Sequence, residues 1–209
     1  MQIDISVLPK YWRDRILGFS QSAQNADSNK ISLKNILFMI RDMPYARPIH
    51  GNSAEACITE WKGTCSAKHL ATYELLKLAG YSPRFWMASF RIDFDRAFFS
   101  KALKQSSRGV TVYDIHNYLT CSFGADELII DITFPLSLEK FGFPVTRNWN
   151  GKEDFLLCCA PEERVELNVD KETDLRKRIW LNRLNSEMAM QLRERAIVEM
   201  MEVASAATS

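Results

Sequence analysis

Residues 62–80 read KGTCSAKHLATYELLKLAG, and residues 110–134 read VTVYDIHNYLTCSFGADELIIDITF. The first stretch predicts a helix. Gly63 and Thr64 form a small-residue turn, Cys65 opens the periodic segment, and Leu70, Tyr73, Leu76 and Leu78 fill an apolar side. Gly80 falls where a C′ glycine ends a helix. The second stretch predicts a β-hairpin, two β-rich runs around Gly124-Ala125-Asp126. With Gly124-Ala125 as the two-residue turn, Phe123 faces Asp126 and Asp131 comes opposite Tyr118. His116 then lies on the same face as Asp131, a diagonal neighbour at roughly 7–8 Å. Strands clustered after a helix argue for an α+β fold over a parallel α/β sheet.

Outward from this centre the pattern is helical on both sides. Residues 8–19 predict a short helix carrying Tyr11, Trp12, Ile16 and Leu17, and residues 21–30 a polar loop. Ser32 is placed to cap a helix with Leu33, Ile36, Leu37 and Ile40 on one face, which stops near Met43-Pro44. Residues 44–63 read as irregular, 84–92 as a strand, and 94–105 as a short helix or excursion. Residues 135–170 read as loops and short pieces, and 173–203 as a long helical tract of one helix or two.

Composition narrows the function classes. Lys and Arg number 27 against 26 Asp and Glu, so net charge gives no electrostatic case for nucleic acid or a membrane surface. No apolar run approaches the roughly 20 residues that span a bilayer, and residues 1–6 lack the features of a signal peptide. Five cysteines with no framework-like spacing fit reduced thiols and a cytoplasmic location.

Chemistry concentrates at Cys65. A thiolate is the nucleophile, and the positive end of a helix with its unpaired N–H groups favours that anion. The Cys65 N–H would be free to bind a developing oxyanion. An imidazole at His116 paired with a carboxylate at Asp131 would supply an oriented base. His69, four residues after Cys65, is a rival base or a packing residue beneath the site. Cys57, Cys65 and His69 match no zinc spacing, so neither a metal nor an organic cofactor is expected. Cys158-Cys159 reads as core, and Arg176-Lys177-Arg178 as the solvated side of the last helical tract.

Gly63-x-Cys65 opening a helix, His116 in one strand, and Asp131 in the next followed by Ile132-Thr133 resemble the transglutaminase-like superfamily. The helix ending Leu78-Ala79-Gly80-Tyr81 before a strand is similar to that core as well. The resemblance covers about residues 45–136. It implies a papain-like α+β fold, with the nucleophile helix packed on an antiparallel sheet between added N- and C-terminal helices. At 209 residues the chain is expected to be a single domain over 1–209, with a helical extension over about 171–204. By position Cys65 is the nucleophile, His116 base then acid, and Asp131 the orienter. Chain length and the lack of a calcium loop keep protein cross-linking out of that implication. The arginine-rich, Gly-Gly-Trp-Cys lead of arylamine N-acetyltransferases is not present either.

The expected function is therefore a thiol-dependent acyl-transfer enzyme acting through a thioester on a peptide, protein or small amide substrate. Hydrolysis comes first, since no acceptor-binding module is evident. A catalytically silent domain that binds protein or peptide in the same cleft is the alternative from another class, and transfer to an amine is the third. The second oxyanion donor is open among Trp61, Tyr45 and Asn52. Tyr118 stands two residues after the histidine, where the superfamily often carries an aromatic. No nucleic acid and no membrane are expected as partners.

Overall fold

The computed structural model describes residues 1–20, 30–170 and 173–208. The loop expected over 21–30 lies almost wholly outside the described residues. Strand β1 (Gln2–Asp4) pairs with β2 (Lys30–Ser32), with helix α1 (Lys10–Ser20) between them in sequence. Helix α2 (Leu33–Arg41) follows and buries Leu33, Ile36, Leu37 and Ile40. Ser32 is its N-cap by backbone, but its hydroxyl makes no capping bond. The Leu33 N–H donates to the Met1 carbonyl at 3.1 Å instead, which ties the helix start to β1.

Residues 44–63 are not irregular throughout. Ala54–Glu60 form helix α3, capped by the Ser53 hydroxyl accepting from the Ala56 N–H at 3.0 Å. Its seven residues are too few for a periodic signal, but Ser53 followed by Glu55 is a start signal in the sequence. Trp61 closes α3 in the left-handed region (φ 52°). Helix α4 (Cys65–Leu78) comes next and ends at Gly80, whose φ of +83° is the conformation a C′ glycine supplies.

The main sheet has strand order β5-β4-β3-β6, antiparallel throughout. Its strands are β3 (Arg84–Arg91), β4 (Tyr113–Phe123), β5 (Asp126–Ile130) and β6 (Glu163–Leu167). Short helix α5 (Lys101–Ser106) lies between β3 and β4. The β4–β5 register is the expected one, Phe123 opposite Asp126 and Leu119 opposite Ile130. Gly124, at φ +88°, takes the first central position of the turn, where a type II′ hairpin requires positive φ. Strand β6 falls inside the stretch read as loops. Its sequence, ERVEL, is charged and exposed, which is how an edge strand resists further pairing but gives little apolar alternation to read.

Helix α4 packs on the sheet face that carries Phe85, Leu119, Cys121 and Ile130, through Ala67, Ala71 and Leu75, with α2 against it. Trp12 of α1 donates to Glu74 of α4 at 3.1 Å, and Tyr11 bonds the same carboxylate. The C-terminal tract is two helices, α6 (Thr173–Leu184) and α7 (Glu187–Thr208). Leu181 of α6 packs with Met87 and Ile115 of the sheet. Helix α7 closes a second aromatic cluster around Phe134 and Phe143. The architecture is α+β, and no helix among the described residues is long and apolar enough to cross a membrane.

Two features fix where α4 begins. Gly63 has no room for a side chain: a Cβ would fall 2.9 Å from both the Cys57 sulfur and the Lys68 Cγ. Lys68 is wholly buried, and its three N–H groups reach the carbonyls of Arg41, Met43 and Thr133 at 2.7, 2.9 and 3.1 Å. Burial pushes this ammonium down to about 7, against which the three acceptors match the three donors of the charged form. Lys68 thus pins the segment after α2 and the segment after β5 to one turn of α4. Lys68→Met leaves three buried carbonyls without a donor and is expected to cost about 3 kcal/mol or more. Urea unfolding measures this, and an unchanged midpoint with an unchanged m-value contradicts it.

Candidate active site

Strand β5 leaves the ladder at Ile130, opposite Leu119, so among the described residues β4 has no strand partner on that side over 113–118. The start of α4 meets β4 there. The Ser66 hydroxyl donates to Asn117 Oδ1 at 2.8 Å, and Cys65 and His116 line one cavity. Asp131, one residue past the ladder, turns its carboxylate to His116, with Nε2 at 2.9 Å from Oδ2.

The protons can be placed from the partners. Asp131 Oδ1 accepts from the Thr133 N–H at 3.1 Å and the Thr133 hydroxyl at 2.7 Å, and Oδ2 also accepts from the Cys158 N–H at 2.7 Å. Burial raises the pKa of this carboxyl. The facing His116, then His69 and the Thr133 bond, more than offset that and hold it well below the usual range. An ionised carboxylate only accepts, so His116 Nε2 carries a hydrogen and Nδ1 is the ring nitrogen not bound to the carboxylate. Burial alone would push the His116 imidazolium down; the Asp131 carboxylate reverses this and holds it well above the ordinary histidine range.

Cys65 is the acidic thiol. Burial pushes it up, but the Lys177 cation and the neighbouring His116 outweigh burial and bring it down to about 6. Lys177 Nζ stands 3.7 Å from the Cys65 sulfur, held by Ser66 Oγ at 3.0 Å and Asn117 Oδ1 at 3.1 Å. Sequence reading placed this lysine on a solvated face. Its signal is invisible there, because α6 reaches the site only through the packing of Leu181 on the sheet.

His69 is at the site but is not equipped as its base. Its Nδ1 lies 2.7 Å from the Cys65 carbonyl, and its Nε2 accepts from the Ile132 N–H at 3.2 Å. That pattern requires the neutral ring with hydrogen on Nδ1, and burial pushes its pKa down to about 4. It ties the first turn of α4 to the segment after β5.

The remaining candidates separate clearly. Tyr45 is 7% exposed and lines both cavities that open at Cys65. Burial raises the pKa of its phenol well above the usual value, so the hydroxyl stays a donor. Asn52 lines the second cavity, its amide 3.5 Å from Asp174. Trp61 lines neither; it packs on the main core under the Arg15 guanidinium. Tyr118 is buried and stacks on His116 (centroids 6.0 Å, 10° between planes), with Trp86 stacked on Tyr118 in turn. It braces the imidazole and lines neither of the two cavities at Cys65.

Cys158, read from sequence as core, stands over the site. Its sulfur lies 3.3 and 3.4 Å from the two ring nitrogens of His116, equidistant and thus on the hydrogen-bond axis of neither. Burial keeps its thiol protonated, well above the ordinary cysteine range. His116, Asp131 and Cys158 present ligand atoms within 4.8 Å of one another, a set that could hold a metal ion. Both Asp131 oxygens are already occupied by protein donors, so the group is closed by its own hydrogen bonds.

The Cys65 N–H is the first of α4 and donates to no protein acceptor among the described residues, and the Thr64 side chain makes no competing cap. An electron-rich oxygen beside Cys65 would find this donor, and Tyr45 lines the same two cavities. No family model, curated protein or solved structure matches this chain.

The rate of Cys65 alkylation by iodoacetamide is expected to reach half its maximum near pH 6, against about 8.5 for an ordinary cysteine. Lys177→Met and His116→Ala should each move that midpoint upward, since each removes a cation that stabilises the thiolate. Mass spectrometry locates the label. A midpoint above pH 8 in the unmodified protein contradicts the arrangement.

Proposed function

We propose that the protein is a cysteine acyl-transfer enzyme that cleaves an amide or peptide bond through a thioester on Cys65, with hydrolysis as the completing step. The observation that carries this is the 2.9 Å bond from His116 Nε2 to Asp131 Oδ2, which leaves Nδ1 for proton exchange at the cavity that Cys65 also lines. The reading is further supported by the helix-start position of Cys65 and its free N–H. A nucleophile helix packed on an antiparallel sheet is also what the resemblance to the transglutaminase-like, papain-like superfamily implies.

In this mechanism the Cys65 thiolate attacks the carbonyl carbon, and the oxyanion is bound by the Cys65 N–H and the Tyr45 hydroxyl. Collapse breaks the C–N bond while His116 Nδ1–H protonates the departing nitrogen. His116, now neutral, takes a proton from water; the hydroxide adds to the thioester, and the acid leaves as the thiolate re-forms. Asp131 holds one tautomer and stabilises the imidazolium throughout. Lys177 keeps the sulfur anionic between turnovers.

p-Nitrophenyl acetate is the simplest probe, its acetyl group trapped on the protein and located by mass spectrometry. One acetyl group is expected on Cys65, none in Cys65→Ala, and an undiminished amount in Cys158→Ser. Tyr45→Phe should slow acetylation by about 10²-fold, the loss usual for one oxyanion donor. Acetyl on Cys158 in place of Cys65, or none on either, overturns the proposal.

A further inference from the structure

Cys65 opens onto two cavities of opposite character. The first, of about 400 Å³, is walled by Phe90, Ile92, Phe98, Phe99, Phe134 and Phe143. Its rings are in contact, with Phe98–Phe143 centroids at 4.4 Å and Phe134–Phe143 at 4.6 Å. Its Arg, Asp and Glu residues are all paired, Arg91 with Glu162 at 2.7 Å, Arg96 with Asp93 at 3.4 Å, and Asp114 with Arg193 outside the cavity at 2.7 Å. What remains is an apolar chamber of the size that holds a small ligand.

The second, of about 430 Å³, runs past Thr64 and Ser66 at the start of α4 to α6 and α7. Within it Arg193 pairs with Asp114 at 2.7 Å and Arg47 with Glu194 at 2.7 Å. Among the described residues Lys177 and Arg178 face no carboxylate within ion-pair distance, against one such carboxylate, Asp174, which takes Asn52 at 3.5 Å. The surplus is one positive charge once Cys65 is acylated, because the thiolate then no longer balances Lys177, the cation nearest the sulfur.

His116 lines the first cavity and not the second. The nitrogen that leaves takes its proton from His116, so the amine half of the amide must sit on the His116 side, in the aromatic chamber. The acyl half stays on Cys65 with its oxygen toward the start of α4, and extends past Ser66 toward Lys177 and Arg178. We infer that the substrate is an amide joining an acyl group that carries a second, anionic carboxylate to an apolar, aromatic or branched amine. This rests on the thiol mechanism proposed above and adds the identity of both halves. Hydrolysis breaks the C–N bond, gives the amine the proton from His116, and leaves a dicarboxylic acid after water opens the thioester.

The test is a matrix of four amides, glutaryl or butyryl on 2-phenylethylamine or on methylamine, with released amine as the readout. Glutaryl phenylethylamide is expected to be cleaved with the highest kcat/KM, and each single replacement should lower it by about tenfold or more. In Arg178→Gln, a change at an exposed position, the glutaryl-over-butyryl ratio should fall several-fold. Equal rates across acyl groups, or a preference for butyryl or for methylamine, overturn the assignment. Iodoacetamide labelling separates the two levels of failure. Fast alkylation of Cys65 with none of the four amides cleaved removes the substrate class and leaves the nucleophile standing. Slow alkylation removes both.

Discussion

The Asp131 carboxylate is 1% exposed at its side chain and accepts four hydrogen bonds, from Thr133 twice, from the Cys158 N–H and from His116. A buried charge costs several kcal/mol unless every lone pair is used, and here every one is. The carboxylate therefore does two jobs with one set of bonds. It joins the segment after β5 to the loop that carries Cys158, and it sets the tautomer and charge of His116. Because its folded pKa is depressed, this contribution to folding is present above the ordinary carboxylate value of about 3.9 and fades as acid titrates it.

Around that anion the short motif from Gly63 to His69 is divided among separate tasks. Gly63 lets the chain pass against Cys57 and Lys68, Cys65 presents sulfur and N–H, and Ser66 reaches Asn117. Lys68 gathers three carbonyls beneath the site, and neutral His69 links the Cys65 carbonyl to the Ile132 N–H. The site is thus fastened to α4 from below and to the strand ends from the side.

The parts of this that sequence made legible are those with local signals. Periodicity placed α2 and α4, and Gly124-Ala125 fixed the hairpin register, which in turn put Asp131 beside His116. Spacing also separated the charge-bearing histidine from its neighbour only halfway: that His69 is the neutral one follows from the Ile132 N–H, a tertiary contact. Helix α3 and strand β6 were hidden because one is a short helix and the other a charged edge. Lys177 and Cys158 were hidden for a different reason. Each reaches the site through packing of its own segment, Cys158 from 27 residues past Asp131 and Lys177 from 60 past Asn117, and nothing adjacent in the chain announces it. Trp61 shows the converse, since nearness to Cys65 in sequence did not bring it to the cavities.

The account turns on a thiolate–imidazolium pair in the resting protein, with Asp131 holding the ring. Nitrogen-15 NMR of the histidine side chains at pH 7 tests it most directly, with the His116 signals assigned by a His116→Gln comparison. The account predicts both His116 nitrogens protonated at pH 7, with Nε2–H in a strong hydrogen bond, while His69 stays neutral with hydrogen on Nδ1. A neutral His116 at pH 7, or one titrating at the ordinary histidine value of about 6.5, would contradict it.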